Sequence, residues 1–437
     1  MKLVTARRRF VGRVGGGELV GAQVVGPRAG ELIHECALAM QTRSLAGRLT
    51  QTIHAYPSES IAVQQAAAQL FPLGRVLVER DCRARIGAIG LRISRSMKQV
   101  LVAVVVAVVA GCGSGGSSHT RAQANERLPA SKLQGLSAGW KTDFARRTVP
   151  LREFQSGGPG KDGIPALDRP RFVRVAEVGF LRPREPVIVL TLAGRARAYP
   201  LQILTWHEIV NDVVAGVPVA VTFCPLCNTA IAFDRRVEGR TLTFGTTGNL
   251  RNSDLVMYDR QTESWWQQFG GQGVVGRYAG RRLRALPARI VAWRTFRAEH
   301  PDGVVLSRDT GYSRPYGANP YAGYDDVSSP PFFPAAHGDD SRLLPKERVV
   351  FLDRGNSAVA IPFSTLAQKR RVEVTLAGHR FEVRWQGGVS SALDTDEIAS
   401  GRDVGAAQVF ESGRPVSFSE PFWFAVAAFR PDVRIVR

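Results

Sequence analysis

Two cysteines, Cys224 and Cys227, stand in the run Phe223-Cys224-Pro225-Leu226-Cys227-Asn228. A pair at this spacing has three physical uses. It can cycle between dithiol and disulfide, because one thiolate attacks and its neighbour resolves. It can hold a soft or borderline metal, copper or zinc, because two thiolates at this spacing reach one ion. It can be a static disulfide in an oxidising compartment. A structural zinc site needs more thiols or imidazoles. Here His207, His300, His337 and His379 are scattered along the chain, so a metal site has to be assembled in three dimensions. His207 is the first candidate to activate a thiol, or to join Cys224 and Cys227 as a ligand, with Glu208 orienting it. Asn211 stands where the second histidine of H-E-x-x-H would be, which disfavours a zinc protease. Around Ser253, Ser264 and Ser307 there is no G-x-S-x-G, and no phosphate-binding G-x-x-x-x-G-K-[ST] occurs.

The elements that must position these residues read mainly as strands. Val187–Thr191, Val217–Phe223, Ala230–Phe233, Leu242–Phe244, Leu255–Tyr258, Val304–Ser307, Val349–Leu352, Val372–Leu376 and Phe381–Trp385 are β-branched or alternating runs punctuated by Gly and Pro. Pro200 followed by Leu201–Asn211 reads as a helix, with Ile203, Trp206 and Val210 on one side. A weak duplication is visible. Leu181, Pro183, Glu185, Val187, Leu190, Ala198, Pro200 and Leu204 recur at a constant offset of 162, as Leu343, Pro345, Glu347, Val349, Leu352, Ala360, Pro362 and Leu366. Only the first copy continues into His207-Glu208 and the cysteine pair. The fold class expected is α+β and β-rich: a single domain over 139–437 with a weak internal duplication. Asn211, Asp212, Tyr258, Asp259, Arg260 and Trp265 are its candidate pocket residues beside the cysteines.

Upstream, Met97-Lys98 is followed by eleven apolar residues, Val100 to Ala110, then Gly111-Cys112 and the Gly/Ser run 113–118. Eleven residues are too few to span a bilayer, which takes about 20, but they suit the apolar region of a signal peptide. Small residues before a cysteine resemble the bacterial lipobox. That resemblance implies a signal peptide at 97–111, a diacylglycerol thioether on Cys112, a flexible linker to 138, and an extracytoplasmic protein held by membrane lipid. The 96 residues before Met97 include Gly21-Ala-Gln-Val-Val-Gly-Pro-Arg-Ala-Gly30 and Thr52-Ile-His-Ala-Tyr56-Pro57. Residues 11–67 thereby resemble a fragment of the dimerisation domain of pyridine nucleotide–disulfide oxidoreductases. The working His-Pro-Thr…Glu of that family reads Tyr56-Pro57-Ser58 with Ile61 at the acid, so no reductase activity carries over. Residues 1–96 are read as an extension of the gene model over a reductase remnant, in preference to a true fusion.

The formal charge is +20, from 58 basic and 38 acidic side chains. It is spread along the chain with no nucleic-acid-reading module, which argues against a nucleic-acid partner.

Several separated motifs agree with one family. His207-Glu208-Ile-Val-Asn211-Asp212, Phe223-Cys224-Pro-Leu-Cys227-Asn-Thr-Ala230, Phe244-Gly245-Thr-Thr-Gly248-Asn249, Leu255-Val-Met-Tyr258-Asp259-Arg260, Glu263-Ser264-Trp265, Leu306-Ser-Arg-Asp-Thr310-Gly311 and Pro345-Lys346-Glu347 resemble the bacterial DUF3179 family over about 170–390. The family's function is unassigned. Some members carry selenocysteine, and the resemblance therefore favours thiol redox chemistry at Cys224 and Cys227 with an unknown protein or small-molecule redox partner. Metal handling by Cys224, Cys227 and His207, and a scaffold domain with a static disulfide, are the alternatives.

Overall fold

The computed structural model describes residues 130–437, together with 2–6, 18–24, 29–42 and 63. The chain divides into two compact units, 1–122 and 123–437. In the first, strands Lys2–Ala6 and Glu18–Gln23 pair antiparallel, and helix Ala29–Gln41 buries Cys36 and Ala39 in a small cluster with Leu19 and Val63. The expected signal peptide, Cys112 and the Gly/Ser run lie outside the described residues, as does Cys82. Among the described residues no helix is long and apolar enough to cross a membrane.

The second unit is built from one plan used twice. In the first half, β1 (Pro186–Leu192) and β2 (Arg195–Pro200) form a hairpin that runs straight into α1 (Leu201–His207). Then β3 (Ile209–Val214), β4 (Val217–Cys224) and β5 (Thr229–Asp234) form an antiparallel meander. All six residues of β5 are buried, so both its faces are covered and its sequence shows no polar alternation. Strands β6 (Phe244–Arg251), β7 (Asp254–Asp259) and β8 (Trp265–Gln267) form most of a further sheet. The chain returns through β9 (Ala288–Ala292), α2 (Trp293–Glu299) and β10 (Val304–Leu306), which lies parallel to β2.

The second half repeats this path. β11 (Val349–Asp353), β12 (Ala358–Pro362) and α3 (Phe363–Lys369) precede the meander β13 (Arg371–Leu376), β14 (His379–Gln386) and β15 (Ala406–Glu411). Helix α4 (Trp423–Phe429) and β16 (Arg434–Ile435) close it, β16 parallel to β12. The correspondence reaches single hydrogen bonds. Phe223 N–H donates to Glu208 O at 2.8 Å and Trp385 N–H to Arg370 O at 2.9 Å, 162 residues on. Trp293 N–H donates to Glu185 O at 2.8 Å, and Trp423 N–H to Glu347 O at 2.9 Å. The duplication expected from eight residue pairs thus extends over both halves.

The strands form five main sheets in a five-blade, propeller-like arrangement, with 38% of residues in strands and 17% in helices. The β-rich expectation is met; the plain single α+β domain is corrected to separate blades. The helix expected over Leu201–Asn211 ends four residues early. Glu208 takes φ +57° and ψ −31°, and its carbonyl accepts from Phe223 N–H, so Ile209 and Val210 already belong to a strand. The apolar stripe that suggested a longer helix is the start of β3 buried from both sides. The run expected as a strand at Leu242–Phe244 begins only at Phe244.

Candidate functional site

Strand β4 ends at Cys224, and the turn Pro225–Asn228 carries Cys227 back to β5. Cys224 pairs with Thr229 across the hairpin, and Asn228 turns the chain at φ +55°. Both cysteines are free and buried, at 1% and 0% exposure. Asp254, the first residue of β7, meets them from another sheet and is wholly buried. One ligand atom from each of Cys224, Cys227 and Asp254 lies within 4.8 Å of the others. The pair therefore sits in a β-hairpin turn facing a carboxylate, not at a helix N-terminus.

The hydrogen bonds fix which atoms face inward. Asp254 Oδ2 accepts from Phe269 N–H at 2.9 Å and from the Gln267 amide. Oδ1 is left to face Cys227 Sγ at 2.8 Å. Cys227 Sγ also lies 2.7 Å from Thr229 Oγ1, whose hydroxyl donates to Gln268 Oε1 at 2.7 Å. Gln268 is held in turn by donating to Thr222 Oγ1 at 2.9 Å. The thiol donates its one hydrogen to Asp254 Oδ1, and the Thr229 hydroxyl lies against the sulfur.

The electrostatics agree. Burial pushes the thiols of Cys224 and Cys227 above the usual range, and burial raises the Asp254 carboxyl against the hydrogen bonds that would lower it. Glu208 joins this group. Burial, then the nearby Asp254 charge, pushes its carboxyl up to about 8. Among the described residues no Lys or Arg ion-pairs with Glu208 or Asp254. The site collects sulfur and oxygen lone pairs and, among the described residues, supplies no Lys or Arg counter-charge in contact.

The second half covers it. Tyr324 Oη–H donates to Leu226 O at 2.8 Å, Phe422 N–H to Cys227 O at 2.9 Å, and Asn228 Nδ2–H to Glu420 O at 2.7 Å. Behind Tyr324 the Lys346 Nζ sits 3.8 Å from the ring centroid and donates to Ser329 Oγ at 2.7 Å and to Tyr324 O. Burial lowers this ammonium to about 8.

His207 is not brought to the cysteines. Its Nδ1 lies 2.7 Å from Pro165 O, which can only accept, so Nδ1 carries the hydrogen and Nε2 accepts from Tyr316 Oη–H at 2.6 Å. Both ring nitrogens are thus occupied, and burial lowers its pKa to about 4. Glu208, expected only to orient the histidine, is buried where its charge acts on Cys224 and the Asp254 charge acts on it.

The expected pocket residues each have partners within the fold. Asn211 ties β3 to β6, its Oδ1 accepting from Phe244 N–H at 2.9 Å and its Nδ2 donating to Phe244 O at 2.8 Å. Asp212 accepts from Arg197 at 2.5 Å and from Tyr199 Oη–H at 2.6 Å. Tyr258 and Arg260 bond to Asp162 and Asp168 respectively. Asp259 accepts from Thr262 N–H at 2.7 Å and Trp266 Nε1–H at 2.9 Å, closing a turn. Trp265 is wholly buried among Trp140, Phe144 and Phe154. Gly248 is closely packed as well: at φ +75°, a Cβ there would lie 2.0 Å from Pro159 O.

A family model described as "Protein of unknown function (DUF3179)" matches residues 161–433. The chain belongs to the DUF3179 family. The match covers both halves of the second unit and so extends beyond the span legible from motifs. Residues 7–67 match the pyridine nucleotide–disulphide oxidoreductase dimerisation domain. No curated protein and no solved structure matches the chain. Within this DUF3179 domain the histidine, tyrosine and glycine motifs fall on scaffold contacts, whereas Glu208 and the cysteine motif converge with Asp254. Sequence reasoning missed Asp254 and Tyr324. The signal for Asp254 is a carboxylate opening a strand whose next three residues, Leu255 to Met257, are apolar, a residue type rarely buried without a partner.

Proposed function

We propose that this DUF3179 protein is an extracytoplasmic, lipid-anchored metal-binding protein whose centre is Cys224, Cys227 and Asp254. The observation that carries the reading is the convergence of three buried donor atoms within 4.8 Å, from two sheets, with no cation in contact. Two thiolates and a carboxylate suit a borderline divalent ion, zinc before copper, since Cu(I) prefers sulfur alone. Glu208, buried and within electrostatic influence of Asp254 and Cys224, would supply a fourth donor. His207 has no part in this sphere.

Thiol redox cycling ranks second. The reduced CxxC pair supports it, but burial raises both thiol pKa values, and among the described residues no Lys, Arg or His hydrogen-bonds to either sulfur. Native intact mass of the chain decides between them. An added mass of zinc, lost in Cys224→Ser, supports the metal centre. A loss of about 2 Da against the dithiol mass, reversed by reductant, marks a disulfide and supports the redox reading. Anchoring through Cys112 is tested separately: Cys112→Ser releases the chain from the membrane fraction, and retention there contradicts the lipobox reading.

A further inference from the structure

A cavity of about 760 Å³ opens on the second unit and shares no residue with the metal centre. Four cations line it, Lys141, Arg146, Arg277 and Arg281, against two carboxylates, Asp143 and Glu238. They come from separate segments. Lys141 to Arg146 precede the first half's strands, Arg277 and Arg281 follow the strand Gln272–Val275, and Glu238 lies in the turn between Arg236–Val237 and Arg240–Thr241. Backbone hydrogen bonds fix these walls. Gly276 N–H donates to Arg146 O at 2.8 Å, Thr148 N–H to Val274 O at 3.0 Å, and Gly273 N–H to Arg281 O at 2.8 Å. Thr142 Oγ1–H donates to Glu263 O at 2.7 Å. The cations therefore stand on a preformed concave surface.

The acids nearby do not balance them. Glu238 pairs with Arg281 at 2.7 Å. Glu263, beside the cavity, pairs with Lys161 at 2.8 Å and accepts from Lys141 N–H at 2.6 Å, and the Lys141 charge also acts on it. Asp143 accepts from Ala145 N–H at 3.0 Å. Among the described residues the side chains of Lys141, Arg146 and Arg277 form no ion pair. Three cations thus line the cavity against one carboxylate without an ion-pair partner.

A cleft lined by one sign of charge focuses its field and concentrates counter-ions. The three side chains are exposed, so meeting an anion costs them little desolvation. The volume falls in the roughly 300–1,000 Å³ of small-molecule sites. Cations from separate segments call for a ligand with more than one anionic group, and guanidinium groups match carboxylate and phosphate oxygens.

We infer that this cavity binds a small soluble polyanion carrying two or more phosphate or carboxylate groups, with Lys141, Arg146 and Arg277 as its charged contacts.

The experiment is isothermal titration of the full chain with tripolyphosphate and, separately, with citrate, at constant ionic strength. The expected result is saturable binding of one equivalent of at least one of them. Arg277→Ala and Arg146→Ala each weaken it about tenfold. Arg380→Ala, which removes an exposed charge from β14 in the other half, leaves it unchanged. Binding of tripolyphosphate alone assigns the site to phosphorylated ligands, and of citrate alone to carboxylates. Both probes chelate metals, so the same isotherm is expected in Cys224→Ser; one that vanishes there reports extraction of a metal and overturns the inference. Equal weakening in Arg380→Ala, or no saturable binding, also overturns it. So does capture of the chain by phosphatidylglycerol vesicles through Arg277 with neither soluble probe bound, which would make this face a membrane contact.

Discussion

Glu208 and Arg370 occupy the same position in the two halves and nearly the same backbone conformation, φ +57° and ψ −31° against φ +61° and ψ −29°. Each ends a seven-residue helix, and each receives the matching backbone hydrogen bond from the meander. Their side chains differ completely. Arg370 is exposed and lies over the Trp385 ring at 4.6 Å, an ordinary way to occupy a helix end. Glu208 is buried beside a second carboxylate and two thiols. The fold therefore does not require a buried acid there, nor cysteines at the meander tip, since the second half builds the same path without them. What the first half adds is a concentration of electron-pair donors.

The largest effect should come from the donors of the first half. Asp254→Asn and Cys227→Ser should each weaken zinc binding by more than the roughly 10–100-fold typical of removing a second-shell partner, measured by competition with a chromogenic chelator. Val389→Ser, at the position 162 residues on from Cys227, should leave the affinity unchanged. If it weakens binding equally, the two halves are not chemically distinct.

Next comes a change confined to the second tip. Gly405 has φ +70°, and a Cβ there would lie 2.2 Å from the Trp385 ring. Gly405→Ala should cost about 2–3 kcal/mol of stability in urea unfolding, with zinc affinity of the folded protein intact.

Lys346, buried against Tyr324, adds a dependence on pH. The Lys346 ammonium is lowered from 10.5 to about 8 in the folded chain by burial, so the unfolded state binds more protons between these values. Stability should therefore rise with pH from about 8 to 10.5, by up to about 3 kcal/mol, and Lys346→Met should remove that rise.

The smallest effect tests the helix ends directly. Arg370→Gly relieves a positive φ and should be neutral or stabilising by no more than about 1 kcal/mol. Glu208→Gly relieves the same conformation and should lower zinc affinity about tenfold, a split that equilibrium unfolding and chelator competition together resolve.

Much of this was legible in the sequence. The strand into Cys224, the hairpin-and-helix unit after Leu181 and its copy after Leu343 follow from apolar patterning and turn residues. The partition into five sheets did not follow, because strand runs do not say which edges pair. His207 and Glu208 were both picked out, and the structure gives His207 the partners Pro165 and Tyr316 and puts Glu208 within electrostatic influence of Cys224 and Asp254. A helix drawn through to Asn211 puts His207 on the apolar side, and the positive φ at Glu208 ends that helix early. Asp254 was out of reach because it comes from a different sheet, thirty residues from Cys224 in sequence. Asn211, Asp212, Tyr258, Asp259 and Arg260 looked like a pocket because polar residues clustered in motifs invite that reading; their partners are turns and neighbouring strands.

The most direct test of the central claim is native mass spectrometry of the chain after exposure to equimolar zinc and removal of loosely held ions. The account predicts one bound zinc with both thiols unmodified, and none in Asp254→Asn. A zinc-free dithiol, or a disulfide that forms in air and excludes the metal, would contradict it.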